Sequence, residues 1–593
     1  MLRILMRMMG RPVANRARHL ARAFLDQTLS AGDVQRDLLM GRLARHAGSQ
    51  FGRDHFFGEI RTPADFRRRV PISGYDRHEP YIDRVRQGDP GALFGPGTEV
   101  LMFALTSGTT NRPKTIPVTR QALSDYREGW TIWGIMAFDA HPEMIRNGLR
   151  PILQVASDWR ESLTPAGIPC GAITGLTAQM QNRLVRTRYC MPAVASRIKD
   201  IESKYYVALR FSIHRDLGTI IAANPSTILA MAGLGDREKE VLIRDLADGT
   251  IDDRWEISAD IRRQLRFNTR RRRKQTARTL ERIAAETGRL LPKDYWPNLE
   301  FLSNWMGGTM RAYLRGYPEY FGGTPVRDVG LIASEGRMTI PLEDGTAAGV
   351  LDIRHHYFEF IPEDEADSAE AEAVEATDLI EGRNYFIVLT TAGGLYRYNI
   401  SDLVRCVGYH GKAPVIEFLN KGAHYSSLTG EKLSEHQVVT AVEAAQRAAG
   451  LHVKSYLLVP TWDDPPYYSL LIEKDDLSTD GVANQLAAAV EHELRRQNVE
   501  YLCKRETRRL GPVRILRIPE GSWIKFQKRR LVRSGGTVEQ YKQPHLVPDL
   551  DLAASFSPVE GGNASQTVNV PVDGKGSEPA EERVHGQDAR AMV

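Results

Sequence analysis

Cysteine is scarce: 593 residues hold four, Cys170, Cys190, Cys406 and Cys503. They lie far apart and form neither a CxxC pair nor a Cys/His ligand spacing, which argues against a disulfide framework and a zinc module and fits a reducing, cytoplasmic setting. Long apolar runs are missing too. No uncharged stretch approaches the roughly 18 residues a membrane span needs, so no span is expected. There is no Walker A pattern GxxxxGK[ST] and no GxGxxG fingerprint, which weakens the ordinary P-loop and dinucleotide-binding readings. Internal repeats are absent, and a formal net charge of +5 is too small for this length to require nucleic acid as a partner.

What is present is the composition of a soluble globular protein, 42% hydrophobic and 26% charged. The chain is too long for a single hydrophobic core, so two or more domains are expected. Arg3, Arg7, Arg11, Arg16, Arg18 and Arg22 precede the first acidic residue, Asp26, with apolar residues at helical spacing among them. That resembles a targeting or interfacial segment, but no serine precedes Ser30 and Pro12 interrupts the pattern, so an ordinary basic helix is expected.

From about 13 to 300 the chain reads as mainly helical, most clearly over 120–138 and 276–285, with strands near 99–105 and 149–155. From 300 to 420 short apolar strands alternate with glycine-rich turns, as in "YFEFIP", "NYFIVLTT" and "GLYRYNISDLVRCVGY". The acidic, alanine-rich run at 363–378 reads as an exposed insertion between two strands. A second unit starts near 421, where Ser434 and Gln437 form a capping box before a helix and Gly450 stands at its C-terminal cap. The expected class is mixed α/β: a large N-terminal domain over 1–420 with helices flanking β-sheets, and a smaller α+β domain over 421–550. Residues 551–593, poor in large apolar side chains, are expected to be a disordered tail.

The densest chemical signal is "LMFALTSGTTNRPKTIPVT", from Leu101 to Thr119. A turn of Ser, Gly and Thr concentrates backbone N–H groups and hydroxyls that suit polyphosphate oxygens, with Lys114 as a charge partner.

The ordered set of motifs resembles the Gretchen Hagen 3 family of acyl acid amido synthetases, within the adenylate-forming group that includes acyl-CoA synthetases and luciferases. The Thr106–Thr110 loop is similar to its serine/threonine-glycine nucleotide motif, "LIASE" at 331–335 to its second motif, and "LYRYNISDLVR" at 395–405 to its third. "VPISGYDRHEPYIDRVRQGDP", "YWPNLEFLSNWMGGTM" and the late "QYKQP" at 540–544 fall in the family's order. The resemblance implies ATP- and Mg²⁺-dependent adenylation of a small carboxylic acid, then transfer of the acyl group to an amino acid or other amine. It implies no other cofactor, and a monomer is expected.

By that resemblance Thr106, Ser107, Gly108, Thr109 and Thr110 would hold the β- and γ-phosphates, with Lys114, Ala333, Ser334, Tyr357 and Arg397 in the same nucleotide site. Glu335 would bind Mg²⁺, Asp402 would accept from the ribose hydroxyls, and Lys542 would place its charge on the α-phosphoryl group. Glu335 and Lys542 are thus the catalytic candidates. Lys421 and Gly422 would be the hinge on which the C-terminal domain turns to deliver and withdraw Lys542. Two positions depart from the family: Leu331 replaces a tyrosine, leaving ring stacking to Tyr357 or Phe358, and Ser401 replaces the glycine before Asp402.

Three other readings stay open. The same first half-reaction could end in an acyl-CoA or other thioester. Leu331 and Ser401 allow a member that binds nucleotide without turnover. From another class, "RFNTRRRRKQTAR" at 266–278 could be a nucleic-acid or anionic-surface site, although no nucleic-acid module accompanies it and a solvated basic helix face is the plainer reading.

Overall fold

The computed structural model describes residues 2–106, 114–146, 148–179, 183–365, 372–420, 425–451, 453–477, 479–526, 529 and 544–556. Ser107, Gly108, Thr109, Thr110, Lys421, Gly422, Lys542 and residues 557–593 lie outside them.

The first helix, Leu2–Gln27, continues through Pro12. Its Arg18 reaches Asp139 at 3.0 Å on helix Arg120–Ala140, which runs over the span where the apolar periodicity is clearest. That helix starts where Thr119 Oγ1 accepts from Ala122 N–H, an N-cap that satisfies one of its orphan donors.

Among the described residues the body is built on three larger sheets and one two-stranded hairpin. One has the order Lys114–Thr119, Val100–Thr106, Pro169–Gly171, Ser162–Leu163. A second is parallel, in the order Ile152–Gln154, Thr219–Ile221, Phe301–Asn304, Val326–Asp328, with helices in its crossovers. The third is a seven-stranded antiparallel sheet in the order Thr339–Ile340, Gly349–Leu351, Ala413–Asn420, Tyr398–His410, Asn384–Thr390, Tyr357–Pro362, Val374–Glu375. Tyr357–Pro362 is buried throughout and Asn384–Thr390 nearly so, which is why they read as continuous apolar runs rather than alternating ones.

The smaller α+β unit pairs Tyr456–Thr461, Tyr467–Glu473 and Arg514–Ile518. Helix Glu435–Ala449 begins with the expected Ser434/Gln437 capping box and ends on Gly450 at φ 63°, where a side chain would be strained. Apolar packing follows this division. One core runs from Ala21 to Ile416, a second lies within 153–321, and a third draws only on residues 428–546.

Two expectations need correction. The acidic run at 363–378 is not wholly a surface loop: Val374–Glu375 forms an edge strand, Ala376 is buried, and Glu375 pairs with Arg67 at 2.9 Å. The tail does not begin at 551, because Phe556 is buried against Trp523 and Phe526. One isolated aromatic in a polar run suffices to seat six more residues.

Candidate active site

Within the stretch from Leu101 to Thr119, strands Val100–Thr106 and Lys114–Thr119 pair antiparallel. Thr106 pairs with Lys114, so residues 107–113 connect two strands of fixed register. Its base is clamped by aromatics. Tyr75 Oη donates to Thr115 O and accepts from Thr115 N–H, both at 3.1 Å. Lys114 Nζ stands 5.5 Å from the Tyr75 ring centroid and 6.0 Å from that of Tyr398, cation–π distances that hold the ammonium near the third motif. The far end of the hairpin lies close to the 391–395 turn: a Cβ on Gly393 would come within 2.7 Å of Pro117 O, so only glycine fits.

The second motif is also a hairpin, and its Ser334 and Glu335 cap no helix. Ile332–Ala333 pairs with Gly336–Arg337, leaving Ser334 and Glu335 as the two-residue connection. They share a narrow cavity with Pro117 and Val118 of the strand that follows the first motif and with Ala122 of the next helix. Glu335 makes no ion pair among the described residues, and no group of three or more His, Cys, Asp or Glu side chains among them could hold a metal. A single carboxylate at a phosphate loop suits Mg²⁺, which takes one or two protein ligands and fills the rest with phosphate and water.

Behind this turn lies a charged layer that the motifs did not announce. His355 Nδ1 is 2.8 Å from both Asp352 carboxylate oxygens, and Glu128 Oε1 is 3.5 Å from His355 Nε2 and 2.7 Å from Arg354 Nη2. Burial alone would lower the His355 pKa, but Asp352, Glu128 and Asp125 together raise it to about 10, so the ring is an imidazolium at neutral pH. Beside it His356 is driven the other way by burial, Arg42 and His355, and stays neutral. Its ring packs on Gly336 so tightly that a Cβ there would lie 2.2 Å from Nε2.

Arg337 is fully buried, 4.4 Å over the Trp130 ring, and donates to Val329 O at 2.7 Å. Burial lowers its pKa to about 10, against the pull of Tyr126, Asp352 and Asp328. The only sequence signal for this layer was the polar run "DIRHH" wedged between apolar strands.

In the third motif Asp402 is buried on strand Tyr398–His410. Between the pairs Asn399–Val388 and Leu403–Phe386 the strand carries three residues opposite one, a bulge that turns it. Ser401 sits in that bulge at φ 62°, its N–H donating to Asn399 Oδ1 at 2.8 Å. The family's glycine position therefore keeps a glycine-like backbone with a serine on it.

Two of the nucleotide-site candidates are packed within the body. The Arg397 guanidinium is 6% exposed and is taken up by Glu359 Oε2 at 2.9 Å, Val70 O at 2.9 Å and Arg67 O at 3.1 Å. Tyr357 is 2% exposed, 6.2 Å from the Phe66 ring, and Phe358 is 1% exposed. Both rings belong to the core, so neither offers a free face for stacking.

The smaller domain touches the body through a polar clasp. Asn224 Nδ2 donates to Thr429 O at 2.8 Å, Arg509 donates to Ser226 Oγ, and the Tyr313 and Trp462 rings meet edge-on at 4.7 Å.

A body of three sheets with two hairpin connections and a bulged strand brought together, and a separate α+β domain clasped to it, is the architecture of an acyl acid amido synthetase. The solved complex of the GH3.15 acyl acid amido synthetase with 2,4-DB superposes with a TM-score of 0.63 at 20% identity, over 91% of this chain and 96% of that one. The chain belongs to the GH3 family, matching its N-terminal domain over 20–326, its central domain over 349–421 and its C-terminal domain over 436–551.

Similar proteins include a jasmonoyl–L-amino acid synthetase, JAR6, of Nicotiana attenuata and the indole-3-acetic acid-amido synthetase GH3.17 of Arabidopsis thaliana. Each is 24% identical over 88% of this chain and 92% of its own length. The chain is thus an enzyme of a family of carbon–nitrogen ligases.

Proposed function

We propose that this enzyme joins a small carboxylic acid to an amino acid or other amine, using ATP and Mg²⁺. The supporting observation is that the strand following the first motif approaches both the second and the third. Lys114 on the first hairpin faces Tyr398 of the strand that bears Asp402, while Pro117 and Val118 of that hairpin line one cavity with Ser334 and Glu335.

A carboxylate does not react with an amine at neutral pH because it is a poor electrophile. In the first step a carboxylate oxygen attacks the α-phosphorus of ATP and pyrophosphate leaves. In the second the amine nitrogen attacks the acyl carbon and AMP leaves. Bound Mg²⁺ would supply charge neutralisation across the phosphate oxygens.

The chain's own residues do the rest. The 106–110 connection, anchored by a hairpin of fixed register, offers N–H and hydroxyl donors to the β- and γ-phosphates. Glu335 holds the metal, and Ser334 lines the same turn. Asp402 accepts from the ribose hydroxyls. Lys542 stabilises charge at the α-phosphoryl group, arriving and leaving with the smaller domain as that domain turns near Lys421 and Gly422. The charged layer behind the Ser334–Glu335 turn positions it: with His355, Asp352 and Glu128 locked together, Glu335 need not reorganise as charge develops.

Acid-dependent pyrophosphate release, measured over a panel of carboxylic acids with Lys542→Ala alongside, tests this reading. Release with at least one acid, falling 10²-fold or more in the variant, is expected, roughly the loss seen when one transition-state donor is removed. Addition of amines or CoA then separates amide from thioester formation. Nucleotide binding without release for any acid would refute the ligase reading.

A further inference from the structure

The basic run Arg270–Arg273, which the proposed reaction does not use, helps form the wall of a cleft of about 880 Å³. The cleft is bounded by the end of edge strand Ile152–Gln154, helix Ile201–Ser212, helix Ala259–Thr269 and the segment around 186–197. It shares no lining residue with the cavity at Ser334 and Glu335.

Its charge is one-sided. The described lining carries seven arginines against one carboxylate, Asp158, in a chain whose whole excess is only +5. Of the seven, Arg197 pairs with Asp260 at 3.4 Å, and Arg210 donates to the backbone carbonyls of Thr250, Asp245 and Thr269. Arg160, Arg215, Arg271 and Arg273 form no salt bridge among the described residues.

His214, between them, is held near a pKa of about 3 by burial and then by Arg273, Arg215, Arg210 and Arg271, and its Nδ1 is buried with no hydrogen-bond partner. Like charges gathered in a concavity repel one another and destabilise the fold, a cost that an anionic ligand would remove. Aromatic surface accompanies the charge. Arg160 lies 4.2 Å over Trp159, and Phe267 stands 87% exposed on the cleft wall.

We propose that this cleft binds a small organic anion carrying two or more phosphate groups on an aromatic or heterocyclic body, at a site separate from the one where ATP is consumed. Guanidinium forks match phosphate oxygens in geometry and charge, and the exposed Phe267 ring offers a face to a heterocycle. The volume falls in the small-molecule range of about 300–1,000 Å³. An extended nucleic acid would call instead for a long basic track, and here the unpaired arginines face one concavity.

Titration calorimetry tests it with three probes: inorganic tripolyphosphate, adenosine 3′,5′-bisphosphate and citrate. The proteins are the wild type, Arg215→Ala/Arg271→Ala and Lys542→Ala. Both phosphates are expected to bind the wild type, the bisphosphate more tightly, with Kd at least tenfold higher in the arginine double variant and unchanged in Lys542→Ala. If the double variant does not fold, the single exposed-site variant Arg271→Gln takes its place with at least a threefold rise in Kd. Equal binding of citrate would overturn the phosphate class. Phosphate binding insensitive to the arginines, or absent, would overturn the site. A single-stranded 20-mer that displaces tripolyphosphate at far lower concentration, with a steep salt dependence, would overturn the small-molecule reading.

Discussion

His355 and His214 belong to the same large domain, and their surroundings drive them in opposite directions. Around His355 each cation has a counter-charge: Asp352 faces it, Glu128 bridges to Arg354, and Asp125 adds to the field, so the ring stays protonated to about pH 10. Burial and the guanidinium groups of Arg273, Arg215, Arg210 and Arg271 act together on His214, and the ring stays neutral down to about pH 3. A neutralised layer can be buried and rigid, which suits a support for Glu335. An unbalanced one must stay open to water or be completed by an anion, which suits a binding cleft. Charge compensation, rather than the number of charged residues, distinguishes scaffold from receptor here.

Breaking the compensation directly should have the largest effect. Asp352→Asn leaves the His355 imidazolium and the buried Arg337 guanidinium without their shared carboxylate. Removing one partner of a buried pair costs about 3–5 kcal/mol. Urea unfolding at pH 7 should show that loss, and acid-dependent pyrophosphate release should fall with it. A loss below about 1 kcal/mol would mean that Glu128 and Asp125 suffice, and that the layer is looser than its distances indicate.

Titration then sharpens the contrast, because the two histidines give slopes of opposite sign. The folded-state pKa of His355 is raised above its unfolded value of about 6.5, so its contribution is complete below pH 6.5 and is lost as pH rises toward 10. For His214 the folded value is depressed, so stability is unaffected above pH 6.5 and falls as pH drops from there toward 3. Comparison with His355→Ala should reveal a decline on the order of 2–3 kcal/mol between pH 7 and 10 that the variant lacks. Relative to wild type, His214→Ala should lose less stability between pH 6 and 4. Parallel pH profiles for the wild type and each variant would erase the distinction between the two sites.

A smaller effect is expected at the contact between the charged layer and the Ser334–Glu335 turn. Gly336→Ala would place a methyl group where the buried His356 ring stands, and the ring has nowhere to move. Overpacking of this kind costs about 1–3 kcal/mol. Because the strain falls next to Glu335, pyrophosphate release should drop about tenfold. A wild-type rate together with the stability loss would show that the layer supports the fold but not the metal ligand.

These features were unevenly legible in the sequence. The strand near 99–105 could be read because an apolar run there ends in a polar glycine turn. Ser434 and Gln437 announced their helix for a similar local reason. The charge on His355 could not be read, since its partners Asp125 and Glu128 lie more than 200 positions away and only the fold brings them to it. Arg397 and Tyr357 sit in matching motifs, yet a motif does not say which face of a strand meets solvent; Glu359 and Phe66 claim them from the inside. Helix Val499–Glu506 was missed because Asn498 ends one helix and caps the next, its Oδ1 accepting from Tyr501 N–H at 2.9 Å, so no turn signal separates them. The acidic run hid an edge strand because composition outweighed the two residues, Val374 and Glu375, that pair with the sheet.

The smallest expected effect concerns Ser401, where this chain departs from its family. A non-glycine residue at φ 62° carries backbone strain that its one local bond, to Asn399 Oδ1, only partly offsets. Ser401→Gly removes the strain but gives the unfolded chain more freedom, so the net change should be a gain of no more than about 0.5–1 kcal/mol. The more informative readout is the KM for ATP in the pyrophosphate assay. Asp402 directly follows Ser401 within the bulge, so if the serine displaces its carboxylate from the ribose, glycine should lower KM for ATP severalfold while kcat holds. If KM is unchanged and stability rises alone, the bulge already presents Asp402 correctly, and the serine is a tolerated cost to the backbone rather than a change to the nucleotide site.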